Sequence, residues 1–339
     1  MSTWMKEEVL STPEKLRETY KACLGPAREL ARMIREKEIR HLYLACRGSS
    51  ENAGIFFEYL CEIRSHIGVT VLPPSVMTVY GGTVNLRGGL LIAISQGGRG
   101  VDLRMVVEEA KRQGVPTVAV TNFPESPIGA ACDLVLPLSI GLEQSMAATK
   151  SFTAEMFALY LLGCALAGDE PDEGIICAFA EGLRQEPRVN GLLPAFDTAR
   201  PVYVLGRGKS YALARETCCK LQETCLVSAF PFSAADFMHG PFELVEPGSK
   251  AIVFHSRFAC TESTLGLIRA LEAQGADLLV ITDTAEELGC PAVRVETADE
   301  NQSVFAFTAV LQLLAANLSE RRGTNPDTSR NLSKYTETV

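Results

Sequence analysis

The chain has 339 residues, of which 47% are hydrophobic and 22% charged, and its net charge is −9 at pH 7. That length allows two domains with full cores. The acidic balance, with no basic run, excludes nucleic acid as a partner, because neutralising phosphates takes clustered Lys and Arg. The N-terminal MSTWMKEEVL carries acid where a signal peptide carries base and then an apolar core. The longest apolar stretch, Met156 to Ala167, is short for a bilayer span. A cytoplasmic protein without membrane contact is therefore expected. The 11 cysteines include no C-x-x-C pair, and the four histidines (His41, His66, His239, His255) are scattered, so no metal site is expected.

Residues 1–36 read as one or two helices, with Pro13 at a helix start. An alternation follows. Strands are predicted at His41–Cys46, Gly68–Pro73, Gly88–Ser95, Thr117–Thr121 and Asp133–Leu138, and helices at Asn52–Ile63, Val101–Gln113 and Ala147–Ala167. Strands that are continuous apolar runs, alternating with helices, imply a parallel sheet covered on both faces. The polar, acidic stretch from Ala167 to Asn190 reads as a linker with one more helix.

At Pro201 the alternation restarts with PVYVL, a glycine turn and a helix-spaced run. Arg47-Gly48 and Arg207-Gly208 each follow a strand, and 207 − 47 = 160. Ser95 closes GLLIAIS as Ser256 closes KAIVFHS, and Val120 matches Ile281, both at an offset of 161. Asp133 to Leu138 is answered by Ala292 to Glu296. Nearly equal offsets with one strand–turn–helix grammar imply two tandem copies of a doubly wound, flavodoxin-like α/β domain. The expected division is 1–36 as an N-terminal helical segment, 37–175 and 190–324 as the two domains, and 325–339 as a C-terminal tail.

In such sheets ligands bind beyond the carboxyl ends of the strands, where helix N-termini offer free N–H groups. Two turns of the first copy qualify: Gly48-Ser49-Ser50 and Ser95-Gln96-Gly97-Gly98. Small residues let the backbone approach an anion, and hydroxyls add donors. Neither turn is a dinucleotide fingerprint or a Walker loop. Together they point to a phosphorylated small molecule. The second copy lacks hydroxyl-rich copies of both turns but carries Glu223 and His239, with Lys220 three residues before the glutamate and on the same helix face. His239 follows an aromatic-rich connector and precedes Gly240-Pro241. An exposed helix ion pair and a loop histidine would explain these three residues without chemistry. Set beside the repeat, they suggest that one copy holds an anion and the other moves protons.

Further motifs carry a resemblance. Arg47-Gly48-Ser49-Ser50 leads to Asn52-Ala53-Gly54, and Pro74-Ser75-Val76 precedes the Ser95 turn. Glu143 to Phe152 reads EQSMAATKSF, followed by Lys220-Leu221-Gln222-Glu223 and His239-Gly240-Pro241. Asn325-Pro326-Asp327 leads to Asn331-Leu332-Ser333-Lys334. From Trp4 to Val339 the chain resembles the double sugar-isomerase (SIS) domain proteins, namely the isomerase half of glucosamine-6-phosphate synthase and the stand-alone SIS-type glucosamine-6-phosphate deaminases.

The resemblance implies roles. Ser49, Ser50, Ser95 and Gln96, with the turn glycines Gly48, Gly97 and Gly98, would bind the sugar phosphate. Met146 and Ala147 would line the sugar through their backbone. Glu223 would move a proton between C1 and C2 of the open-chain sugar, and Lys220 would support the enolamine or enediol. His239 would open the ring, reaching in from the partner subunit of a homodimer. Lys334 would close over the sugar and contact or condense with its carbonyl carbon. No metal or organic cofactor is implied.

The implied reaction is deamination of glucosamine 6-phosphate with isomerisation to fructose 6-phosphate. The alternatives are a deglycase of phosphorylated Amadori sugars using the same Glu223 and Lys334, and a non-enzymatic sugar-phosphate sensor, which would need neither. The chain departs from the family at Gly97 and Gly100, where Ser or Thr is usual, and at Asp236, where Glu is. Each missing hydroxyl removes a hydrogen bond worth about 0.5–1.5 kcal/mol net. A glutaminase half is not expected, since Met1-Ser2-Thr3 offers no N-terminal cysteine.

Overall fold

A computed structural model describes residues 3–331, so Lys334 lies outside the described residues. The first element is one continuous helix, α1 (Trp4–Glu36), with Pro13 and Pro26 inside it. Pro13 is therefore not a helix start. The helix begins nine residues earlier because the Asp327 carboxylate caps its first turn, accepting from Trp4 N at 2.7 Å and Met5 N at 2.8 Å.

The first sheet comprises β1 (His41–Ala45), β2 (Gly68–Val71), β3 (Leu90–Ile94), β4 (Thr117–Thr121) and β5 (Leu134–Pro137). Between them run α2 (Ser49–Arg64), the short α3 (Ser75–Thr78), α4 (Val101–Arg112) and α5 (Pro127–Ala131), and α6 (Lys150–Ala167) follows β5. All pairings are parallel, in the order β2-β1-β3-β4-β5. The helices dock by helical spacing. On α4, Leu103, Val106, Val107 and Ala110 form one buried stripe against Leu91, Ala93 and Ala119 of the sheet. Burying each Val or Leu fully is worth about 1.5–3 kcal/mol.

After α6 come α7 (Gly174–Leu183) and α8 (Glu186–Leu192). The second sheet follows with β6 (Val202–Gly206), α9 (Ser210–Cys225), β7 (Ala229–Ser233), α10 (Ala234–Met238), β8 (Lys250–His255), α11 (Thr261–Ala273), β9 (Asp277–Thr282), β10 (Ala292–Arg294) and α12 (Glu300–Arg321). Its order, β10-β9-β8-β6-β7, is the first sheet's order read from the other end, again all parallel. The expected repeat of a doubly wound domain is thus present down to backbone angles: Gly48 and Gly208 both open their helices at positive φ, 56° and 63°.

Three expectations change. The aromatic connector before His239 is in fact strand β7 and helix α10. Pro231 obscured the strand, and β7 tolerates it because it lies at the sheet edge, where a missing N–H costs no ladder bond. The supposed linker is in part core, since Ile175, Ile176, Ala178 and Phe179 of α7 are buried. Among the described residues two helices reach membrane-spanning length and apolarity, α6 and α12. Both are core helices, with 89% and 94% of their apolar windows buried.

By contacts the chain forms two compact units that are discontinuous in sequence. The β1–β5 unit takes Glu14–Glu143, Lys150–Pro171 and, of the described residues beyond, Asn331; the β6–β10 unit takes the described residues of Met1–Pro13, with Gln144–Thr149 and Asp172–Arg330.

Candidate active site

In the β1–β5 unit the strand order reverses between β1 and β3, the point at which doubly wound sheets open a ligand crevice. Both predicted turns sit there. Gly48 is the N-cap of α2, and Ser49 and Ser50 form its first turn. The turn after β3 runs through Ser95, Gln96, Gly97 and Gly98 to the N-terminus of α4. An ion pair between Arg47 and the buried Asp102 ties the two turns together. Ser50 Oγ donates to Glu155 Oε1 of α6 at 3.0 Å. Gly98 N donates to Ser95 O at 3.1 Å and to Ser95 Oγ at 3.2 Å. The Gln96 carbonyl is held by Asn122 N at 3.1 Å and Thr121 Oγ1 at 3.2 Å, while its side-chain Nε2 is buried without a hydrogen-bond partner among the described residues. A buried amide donor left over at a helix N-terminus is suited to an anionic oxygen.

Local packing accounts for two of the glycines. Gly98 has φ +62°, and a Cβ there would meet Ser126 Oγ at 1.9 Å. A Cβ at Gly100 would stand 3.2 Å from Asp102 Oδ1, crowding the carboxylate that Arg47 holds.

The β6–β10 unit gathers the remaining groups, apart from Lys334. Lys220 and Glu223 share a face of α9, with Lys220 Nζ 2.8 Å from Glu223 Oε2. This is not the exposed ion pair that spacing alone allows. Lys220 is fully buried, whereas the Glu223 side chain is 33% exposed. Sequence reasoning missed a third member, Glu216, which is also fully buried, with Oε1 3.4 Å from Lys220 Nζ. Its i,i+4 spacing to Lys220 was legible, but its burial was not. Burial alone would push the Lys220 ammonium to lose its proton; the carboxylates of Glu216 and Glu223 outweigh that, so its pKa is raised. Lys220 is therefore a fixed cation at neutral pH.

His239 ends α10 and is exposed. Met146 and Ala147 lie in a loop, not in the first turn of α6, which begins at Lys150. Glu143 caps that helix from outside, accepting from Ser151 N at 3.1 Å and Ser151 Oγ at 2.5 Å. Ser145 Oγ bonds Ala147 O at 2.9 Å and keeps the preceding loop folded on itself. Beyond α12 the C-terminal segment passes the last turn of α9: Arg322 Nε donates to Cys225 O at 2.8 Å and Thr324 Oγ1 to Thr224 O at 2.6 Å. The segment that continues to Lys334 thus starts beside Glu223.

The second copies of the anion turns are closed by the protein's own side chains. Lys209 stands where the first copy has Ser49 (209 − 49 = 160), with Nζ 2.8 Å from both Glu300 Oε2 and Asn301 Oδ1. Asp283, the counterpart of Asn122 (283 − 122 = 161), accepts from Ser256 Oγ and Arg257 N at 2.7 Å and from Ser303 Oγ at 2.5 Å. A carboxylate built into the fold takes the donors of the turn. Among the described residues no three His, Cys, Asp or Glu side chains gather as a metal site requires, and all 11 cysteines are free.

A family model for the SIS domain matches residues 34–165 and 196–318. The isomerizing glutamine–fructose-6-phosphate aminotransferase of Gloeobacter violaceus is 29% identical over 353 residues, which cover 98% of this chain. The chain spans only 58% of that protein's length. Among solved structures, the C-terminal domain of glucosamine-fructose-6-phosphate aminotransferase from Francisella tularensis has a TM-score of 0.87 at 23% identity, covering 96% of this chain and 98% of its own. Glucosamine-6-phosphate deaminase from Thermotoga maritima has a TM-score of 0.81 at 21% identity, covering 99% and 100%. At those identities the structural matches establish the fold. With two matched segments and two sheets of one strand order, the chain belongs to the SIS domain family and carries the domain twice.

Proposed function

We propose that this chain is a phosphosugar enzyme that converts glucosamine 6-phosphate and water to fructose 6-phosphate and ammonia. The observation that carries the reading is the group Glu216–Lys220–Glu223. A buried, permanently charged ammonium is aimed at a carboxylate that stays one-third open to an incoming molecule. The names of relatives that act on fructose 6-phosphate and glucosamine 6-phosphate support the substrate class.

In this reading Ser49, Ser50, Ser95 and Gln96, with the backbone at Gly48, Gly97 and Gly98, hold the phosphate, and the loop at Met146 and Ala147 lines the sugar. His239, exposed at the end of α10, serves the site of a second copy in a homodimer. It shifts a proton from the anomeric hydroxyl to the ring oxygen to open the pyranose. Glu223 then takes the C2 proton of the open-chain aldehyde and returns it to C1. Lys220 stabilises the negative charge that develops on oxygen meanwhile. Because Lys220 is held as an ammonium, it steadies charge and is not an amine that condenses with a carbonyl; Lys334 is assigned to contact the sugar at its carbonyl carbon. The product of the proton shift is a C2 imine, which water hydrolyses to the ketose and ammonia. The reaction needs no redox partner, and the chemistry described here is carried by these side chains.

The test is ammonia release by the purified protein and its Glu223→Gln variant from glucosamine 6-phosphate, unphosphorylated glucosamine and fructosyl-lysine 6-phosphate. Ammonia from the first alone, lost in the variant, is the expected result. Release of lysine from the third, with no ammonia from the first, would replace this reading with a deglycase, and silence on all three would leave a binding protein.

A further inference from the structure

The first turns of α1 make three contacts with groups placed at the site, all within the β6–β10 unit. Asp327 accepts from Trp4 N and Met5 N at 2.7 and 2.8 Å. The Met5 side chain is fully buried against Ala147, Ala315 and Ala316. Glu8, one turn further along the same face, is 5% exposed, and its carboxylate accepts from Gln144 N at 2.5 Å and Ser145 N at 3.2 Å. A carboxylate on a helix N-terminus gains both charge-assisted hydrogen bonds and the favourable end of the helix dipole.

These contacts converge on two segments. Asp327 lies in the stretch that continues to Lys334, folded by its own Asx turn, with Asp327 N donating to Asn325 Oδ1 at 3.0 Å. Gln144 and Ser145 lead directly into Met146 and Ala147. We infer that the first two turns of α1 act as a brace for the active site: Asp327 and Glu8 are positioning residues that fix the C-terminal segment and the sugar-lining loop to one helix face. The inference rests on the functional reading above for what those segments do, but not for how they are held.

The geometry assigns the two residues different effects. Loss of the Asp327 cap frees the stretch after Thr324, whose hydroxyl bonds Thr224 O next to Glu223, so the damage falls on the chemical step. Loss of the Glu8 carboxylate loosens the loop that touches sugar in the ground state as well, so the damage appears in binding. Neither residue touches substrate.

The experiment compares full-length wild type with Asp327→Ala, Asp327→Asn and Glu8→Gln. Three quantities are read: the rate of trypsin cleavage after Arg330, the melting temperature, and kcat and KM for ammonia release from glucosamine 6-phosphate. In Asp327→Ala, cleavage after Arg330 should accelerate by about 2–30-fold, the factor that a lost helix cap corresponds to. Cleavage elsewhere should be unchanged. Its kcat should fall by about 10–100-fold, as for a misplaced catalytic group, with KM within a factor of about 3. Asp327→Asn keeps an acceptor and should recover part of both. Glu8→Gln should raise KM more than it lowers kcat. Unchanged cleavage after Arg330 in Asp327→Ala overturns the inference whatever the activity, and so does wild-type kcat in that variant. Accelerated cleavage in a protein whose wild type releases no ammonia would support the brace and sink the deaminase reading instead.

Discussion

Gly98 lies where the proposed phosphate turn meets the packing beneath it, and its replacement by alanine can be costed from the geometry. The residue has φ +62°, a conformation that costs a residue with a Cβ about 1–2 kcal/mol relative to glycine. The new methyl would stand 1.9 Å from Ser126 Oγ and 2.5 Å from Ser126 Cβ, so Ser126 must move. Ser126 caps α5 by accepting from Gly129 N at 3.2 Å. Overpacking of this kind costs about 1–3 kcal/mol, the lost cap included. Gly98→Ala should therefore lose about 2–5 kcal/mol, summing those two ranges. Adding Ser126→Gly removes both clashing atoms and leaves Thr121 Oγ1, at 3.1 Å, as the next neighbour. A glycine cap is worse than serine by only a few tenths of a kcal/mol. The double variant should thus be more stable than Gly98→Ala by about 1–3 kcal/mol, the overpacking term relieved, although Ser126→Gly alone destabilises. Urea midpoints for the three variants and wild type close the cycle. Additive losses, with the double variant the least stable, would refute the steric account. Since Gly98 N also holds Ser95, KM for the sugar phosphate should rise in Gly98→Ala and partly recover in the double variant.

Two further predictions concern buried charge. Lys220→Met leaves the fully buried Glu216 without the ammonium 3.4 Å away and should cost about 3–5 kcal/mol at pH 8, measured by urea denaturation. Lys220→Met with Glu216→Leu should recover most of it; a loss below about 1 kcal/mol in the single variant would mean that the pair is not a buried ion pair in the energetic sense. His255 is 1% exposed, with Nδ1 2.6 Å from Thr264 Oγ1, and burial holds its pKa below the usual histidine value. The unfolded chain then binds this proton more readily than the folded one. The stability that His255 contributes is full above about pH 6.5, the unfolded value, and is lost as pH falls through the folded value. His255→Gln should flatten the acid limb of melting temperature against pH between 7 and 5, and an unchanged limb would place the acid sensitivity elsewhere.

The elements most legible in the sequence were those set by local chemistry. The apolar strands, the small-residue turns after β1 and β3, and the repeat spacing that pairs Gly48 with Gly208 could be read from the chain alone. What escaped was set by tertiary context. Strand β7 was hidden because Pro231 breaks a central strand but is harmless at an edge, and edge position belongs to the whole sheet. The Lys220–Glu223 spacing fits an exposed pair as well as a buried one; only the packing of α9 decides, and it also draws in Glu216. Asp283 gave no signal, because a single Asn-to-Asp difference between repeats changes meaning only once Ser256 and Arg257 N are seen to converge on it. Ser49, Ser95 and Gln96 were marked by the chemistry of their turns, whereas Lys334, in a polar tail without periodicity, was marked only by the family resemblance.

The helix cap at the start of the chain has a consequence for biosynthesis. Trp4 and the carboxylate that receives its N–H are 323 residues apart. At ribosomal rates of about 5–20 residues per second, the arm waits roughly 16–65 s for its partner to be made. During that time the β1–β5 unit can be completed, while Met5 and Val9 have nothing of their own unit to bury against except the 144–149 loop. The β6–β10 unit thus closes last and through its longest-range contacts, the slow kind in any folding reaction. It is also the unit that carries Glu223, the carboxylate proposed to move the proton.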